Sequence, residues 1–216
     1  MDRSTPGMLE LLRRAPVMPI MTLTDADTAP DVACALLEGG VSVFEVVLRT
    51  PAALAAIERI RSRVPQVTVG AGTLLGAADV QRAGDAGAQF GVTPGLSQEL
   101  AQAAWRTGLP LLPGVWTASE VLQAVSCGFE AVKLFPAHGL QGVAQIEQLQ
   151  PVFPRVRFCP TGGIKPEHIP HYLALPGCPT VGGSWVTPAA RIAARDWAGI
   201  TALARQAAAF AAPRPA

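Results

Sequence analysis

The stretch VSVFEVVLRT, residues 41–50, decides the fold. Its apolar, β-branched residues run almost without a break, the composition of a strand covered on both faces rather than one. Seven further runs share this character: VMPIMTL (17–23), VTVGA (67–71), AQFGVT (88–93), LPLLPG (109–114), EAVKLF (130–135), VRFCPT (156–161) and PTVGGS (179–184). Their starts lie about 20 to 27 residues apart, room for a strand, a helix and two short loops. Strands of this kind alternating with helices imply a parallel sheet. Eight units in one chain fit an α/β fold of the (β/α)8 TIM-barrel type best, with a doubly wound open sheet as the alternative.

The intervening helices carry recognisable signals. Segment 28–40 ends on glycines, and 50–65 offers Thr50 as N-cap with Pro51 at the first helical position. Segment 97–108 starts on Ser97, has Glu99 in its first turn and closes on Gly108. Thr117 and Glu120 have capping-box spacing at the head of 117–128. Residues 1–16 read as a short amphipathic helix leading into the first strand, and 211–216 as a frayed tail. No linker or change of composition interrupts 1–216, which predicts a single domain.

Bulk composition narrows the function. The chain has 216 residues, half of them hydrophobic and 15% charged, with a net charge of +1. That balance argues against a general electrostatic affinity for nucleic acid or anionic membrane, so an anion must be met by a local arrangement. No apolar run approaches the ~18 residues of a membrane span. The N-terminus lacks a signal-peptide core. A cytoplasmic location is expected, with Cys34, Cys127, Cys159 and Cys178 as reduced, buried thiols.

Side-chain alternation then locates ionisable groups. In EAVKLF, Ala131, Lys133 and Phe135 share one face, and Val132 and Leu134 the other. With the bulkier pair packed on helices, Lys133 points inward. The same alternation sends Val43, Glu45, Val47 and Arg49 to one face of their strand. A buried Glu45–Lys133 salt bridge is the bland reading, and such a pair contributes little net stability after desolvation. The sharper one is a desolvated lysine near a cation, left as a neutral amine able to attack a carbonyl.

Glycine-rich strand ends supply a second component. CPTGGIKPEHI (159–169) and VGGSW (181–185) fall after the last two strands, where barrels often build a phosphate site from backbone N–H groups. Thr73 follows the third strand, where it is either a pocket hydroxyl or an ordinary N-cap; Thr161 has similar status. Pro94 and Gly95 shape a pocket wall. His168 and His171, spaced i,i+3, read as residues of an exposed helix rather than metal ligands, and His138 as a loop histidine near the site mouth.

The motifs EVVLRT, VGAGT, TPG, KLFPA, RFCPTGGI and GGSW, in this order, resemble those of the bacterial 2-keto-3-deoxy-6-phosphogluconate (KDPG) aldolases, also described as 4-hydroxy-2-oxoglutarate aldolases. The resemblance spans roughly residues 10–205. It implies a class I lyase of the Entner–Doudoroff pathway, with Lys133 as Schiff-base lysine and Glu45 as general acid/base. Arg49 and Thr73 would hold the keto-acid carboxylate, Thr161 would line the site, and Gly162, Gly163, Gly183 and Ser184 would take the phosphate. Phe135 and Pro94 would form apolar walls. It implies no cofactor, no metal and a homotrimer. Arg49 and CPTGGI favour the phosphogluconate over the phosphogalactonate type. His138 stands where the family usually has an acidic residue, the following GLQG is shorter than the usual loop, and Trp116 replaces a smaller residue. A non-catalytic phosphate-binding barrel and a pyridoxal-phosphate barrel are the competing functions. The intact Lys133–Glu45–Arg49 set counts against the first, and the second usually needs a longer chain.

Overall fold

The computed structural model describes residues 7–210. All eight apolar runs contribute strand. Along the chain these are β1 (Val17–Met21), β2 (Val43–Val47), β3 (Thr68–Gly72), β4 (Gly91–Val92), β5 (Leu111–Leu112), β6 (Gly114–Val115), β7 (Ala131–Leu134), β8 (Arg157–Pro160) and β9 (Val181–Gly183). The fifth run is divided at Pro113 into β5 and β6, because its carbonyl leaves one neighbour to accept from Lys133 N at 2.8 Å. The helices are α1 (Met8–Leu12), α2 (Ala29–Glu38), α3 (Ala53–Arg63), α4 (Ala77–Asp85), α5 (Gln98–Thr107), α6 (Ala118–Ser126), α7 (Gln141–Leu149), α8 (Ile169–Leu173), α9 (Ala189–Ala193) and α10 (Trp197–Ala208).

Every strand pairing is parallel, which makes this an α/β fold with a curled parallel sheet. One sheet has the order β5-β4-β3-β2-β1-β9 and the other β6-β7-β8. A parallel bridge between Thr161 and Gly182 joins the end of β8 to β9.

Two apolar layers follow from strand alternation. Phe44, Val46, Val132 and Leu134 pack outward with the helices in the larger core. Val43, Ala131 and Cys159 face inward and pack with Met18, Phe90, Val92 and Leu112 in a smaller one. Met8, Leu11 and Leu12 of α1 belong to this inner core. An N-terminal helix is present over Met8–Leu12, shorter than the expected 1–16: residues 13–16 run into β1 without helix, and residues 1–6, like the tail at 211–216, lie outside the described residues.

Three of the four helix signals match the structure and one does not; α2 ends on Gly39 as its C-cap, followed by Gly40 at φ 88°. Ser97 accepts from Leu100 N at 3.1 Å, and Gly108 closes α5 at φ 70°. Thr117 and Glu120 form the reciprocal capping box, a feature that typically contributes about 1 kcal/mol. Thr50, by contrast, does not cap α3; its hydroxyl donates to the Leu23 carbonyl, and Ala52 occupies the N-cap. Two cysteines also depart from expectation: all four are free thiols, but Cys34 is exposed and Cys127 half-buried. Among the described residues, no helix is long and apolar enough to cross a membrane.

Candidate active site

β2 and β7 carry the central pair. Glu45 and Lys133 are 2% and 6% exposed, at inward positions two residues above Val43 and Ala131. The glycines of β3 make room for the carboxyl: a Cβ on Gly72 would lie 3.0 Å from Glu45 Cδ and Oε1. Gly70, in register with Glu45, leaves space for the Phe90 ring, which a Cβ there would strike at 2.3 Å. Gly114, in register with Lys133, similarly admits the backbone of Pro94.

Glu45 and Lys133 do not form the salt bridge of the bland reading. The ion pairs among the described residues, such as Arg82–Asp79 and Arg205–Glu38, lie elsewhere. Glu45 Oε1 is buried and has no hydrogen-bond partner. Burial pushes the Glu45 carboxyl above its ordinary range, and the charges of Lys133 and then Arg49 only partly oppose it. A protonatable group left unpaired in this way is an acid/base candidate, because desolvation moves a carboxyl toward working pH. Lys133 Nζ stands 4.8 Å from the centroid of the Phe135 ring, a cation–π distance.

The remaining candidates cluster at strand ends. Arg49 lies two residues beyond β2, and its Nε donates to Thr73 Oγ1 at 3.2 Å. The N-cap of α4 is Gly76, which excludes the N-cap reading of Thr73. Thr73 also adopts φ 63°, a left-handed conformation that is uncommon for a β-branched residue and tends to mark functional positions. Thr161 is buried just past β8; its N–H donates to Leu134 O at 2.9 Å and its carbonyl accepts from Ala137 N at 2.8 Å. These bonds lay the 161–163 turn against the segment after β7.

Gly162 and Gly163 have φ 108° and 68°, which an L side chain rarely adopts. A Cβ on Gly162 would also come within 3.3 Å of Ala137 N and touch Phe135 at 3.5 Å. Gly183 ends β9 and Ser184 is exposed at the start of the short 3-10 helix Ser184–Val186. The Thr161–Gly182 bridge makes these two strand ends neighbours. Ser184 is adjacent to this turn but has no hydrogen bond into it.

Two participants escaped the sequence reading. Cys159 is in register with Lys133, and its thiol is pushed up to about 12 by burial first and the Glu45 charge second, with Lys133 opposing. It is thus a neutral neighbour of both central groups. Alternation along β8 puts Cys159 and Thr161 on one face, so a signal existed. The second is Trp185, whose buried indole N–H has no partner and sits close to Gly183. It lies two residues beyond Gly183, in the 3-10 helix Ser184–Val186.

The histidines and Trp116 serve other ends. His168 Nδ1 accepts from Lys165 N at 3.2 Å, a turn-stabilising contact, and His171 is exposed on α8. His138 is exposed at φ 45° beside Gly163. Trp116 is half-buried against the outer core, so its bulk is spent on packing.

A curled parallel α/β sheet with a buried lysine and an unpaired carboxyl at neighbouring inward positions has the constitution of an aldolase. The chain belongs to the KDPG and KHG aldolase family, whose model matches residues 8–203. It is 46% identical over 93% of its length to the 2-dehydro-3-deoxy-phosphogluconate aldolase of Zymomonas mobilis, covering 94% of that protein. It is 42% identical to the KHG/KDPG aldolase of Escherichia coli K12, over 91% of this chain and 92% of that one. Among solved structures, a Legionella pneumophila KDPG aldolase with pyruvate captured as a covalent carbinolamine superposes with a TM-score of 0.89. That protein is 36% identical, with 92% of this chain and 97% of the other covered.

Proposed function

We propose that this protein is a class I, metal-independent aldolase that cleaves 2-keto-3-deoxy-6-phosphogluconate to pyruvate and glyceraldehyde 3-phosphate. The observation that carries this reading is the buried Lys133 next to a Glu45 whose carboxyl oxygen has no partner. The covalent pyruvate carbinolamine of the Legionella relative supports the same chemistry here. By the same route 4-hydroxy-2-oxoglutarate would give pyruvate and glyoxylate, in keeping with the double name of the Escherichia coli relative.

The Lys133 amine attacks the C2 ketone and water leaves, giving an iminium that serves as electron sink. Glu45 takes the proton of the C4 hydroxyl, the C3–C4 bond breaks, and its electrons form an enamine as the aldehyde departs. Glu45 returns a proton to C3, and water releases pyruvate from the lysine. Arg49 and Thr73, already hydrogen-bonded to each other, hold the carboxylate. Gly162, Gly163, Gly183 and Ser184 receive the phosphate through backbone N–H groups and a hydroxyl. Thr161 lines the cleft, and Phe135 and Pro94 wall it.

Several coarser features complete this reading. The Thr161–Gly182 bridge on one side, and the continuity of β5 and β6 through Pro113 on the other, support closure of the two sheets into one (β/α)8 barrel forming a single domain. A homotrimer is the assembly that the family resemblance implies. A cytoplasmic site of action fits the four free thiols.

Incubation with pyruvate and borohydride, followed by peptide mass spectrometry, is expected to find a reduced adduct on Lys133. An adduct on Lys165, the other lysine in the chain, or no adduct at all, rejects the assignment. Full activity is also expected after exhaustive chelation, because the imine supplies the electron sink that a Lewis-acid metal would otherwise provide. Loss on chelation with recovery on adding zinc would point to a metal enzyme instead.

A further inference from the structure

We propose that α1 is the floor of the active site, and that Leu12 is a positioning residue that keeps water from reaching Glu45 from below. The inner face of α1, Met8, Leu11 and Leu12, is buried at 9%, 2% and 0% exposure. It packs in one cluster with Met18, Val43, Phe90, Val92, Leu112, Ala131 and Cys159. Val43 and Ala131 lie two residues below Glu45 and Lys133 on the same strand faces, and Cys159 is in register with Lys133. The apolar layer capped by α1 therefore lies directly beneath the central pair.

Solvent reaches the other side of this helix. Gly7, Met8 and Leu9 border a groove of about 1180 Å³ that extends to Leu111, Ala131 and Val156. Met8 and Ala131 border both the groove and the inner core, and the other members of that core, Leu11 and Leu12 among them, do not line the groove. Arg14 fastens the helix in place, with Nη1 on Thr68 Oγ1 at 3.2 Å at the start of β3 and Nη2 on Glu10 at 3.4 Å.

The electrostatics give this seal a consequence. The charged groups acting on Glu45 are Lys133 from β7 and Arg49 beyond β2, and the thiol of Cys159 from β8, itself raised by the Glu45 charge, is neutral. Both cations favour the carboxylate, yet burial outweighs them. Water admitted through the floor weakens the one influence that wins, so the carboxyl must fall toward its ordinary range.

This inference rests on the proposed function only for its catalytic readout. The direct measurement is the carboxyl titration of 13C-labelled glutamates by NMR in the full chain, with the Glu45 signal identified by its loss in Glu45→Gln. Leu12→Asn, nearly equal in size but polar, is expected to lower the Glu45 midpoint by about half a unit or more. The acid limb of pyruvate methyl-proton exchange, read at saturating pyruvate, should move down by a like amount. Leu9→Gln, on the groove side of the same helix, should move neither. If Leu12→Asn does not fold, Leu12→Ala is expected to give a smaller shift in the same direction. A folded Leu12 variant with an unmoved Glu45 midpoint overturns the proposal. Wild-type protein that exchanges no pyruvate protons would reject the aldolase reading, while the titration would still decide the role of the floor.

Discussion

Lys133→Met is expected to abolish aldol cleavage, with a fall on the order of 10⁴–10⁶-fold, the scale seen when a covalent nucleophile is removed. Methionine keeps the unbranched stem of lysine and suits a buried position, so the fold should survive. The substitution deletes the amine on which every bond-making step depends: without an iminium, the electrons of the C3–C4 bond have no acceptor. Because Lys133 is 6% exposed and not in an ion pair with Glu45, its loss strands no tightly held partner. The expected result is a protein of unchanged circular dichroism, without turnover and without borohydride-trapped pyruvate. Retained turnover would mean that the carbonyl is activated by some group other than Lys133.

How much of this was legible in the sequence depends on whether the signal was local. The inward direction of Lys133 and Glu45 follows from a period of two within single strands, and both side chains lie where alternation puts them. Ser97 and Thr117 are caps because each satisfies a donor three residues away. Thr50 was misread for the opposite reason: its hydroxyl is taken by the Leu23 carbonyl, 27 residues away. Cys159 becomes a neighbour of Lys133 through the register of β7 and β8, although alternation alone already turns it inward. Strand extent was also overestimated. The run at 88–93 yields only Gly91–Val92, although the Phe90 carbonyl still accepts from Ala71 N and Thr93 N still donates to the Leu112 carbonyl.

The glycines illustrate both sides of that boundary. Gly162 and Gly163 were conspicuous as a pair, and their positive φ values are what a tight, ligand-facing turn requires. Gly70, Gly72 and Gly114 look like ordinary strand glycines until their neighbours are known. Each is small because a partner from another strand or loop occupies the space of its side chain. Gly72 is the most consequential, since a methyl group there would press on the Glu45 carboxyl itself.

Glu45→Gln separates proton transfer from structural support. Glutamine keeps the shape of the side chain and removes the base, so turnover is expected to fall by about 10²–10⁴-fold. Pyruvate should still form the imine at Lys133 and be trapped by borohydride, because that step does not need Glu45. Exchange of pyruvate methyl protons with deuterated water, followed by NMR, should be fast in the wild type and slower by the same factor in the variant. Stability should move in the other direction. Folding raises the Glu45 pKa, so its contribution to stability is fully present below the ordinary carboxylate range. That contribution is lost as pH rises through the raised folded value. Glutamine resembles the protonated form, so above that value the variant should melt at the same temperature as the wild type or higher. A salt-bridge partner would behave otherwise: its removal would leave Lys133 as an uncompensated buried charge and lower the melting temperature. Slow exchange combined with undiminished stability is thus the signature of a proton carrier, and normal exchange with lowered stability that of a structural partner.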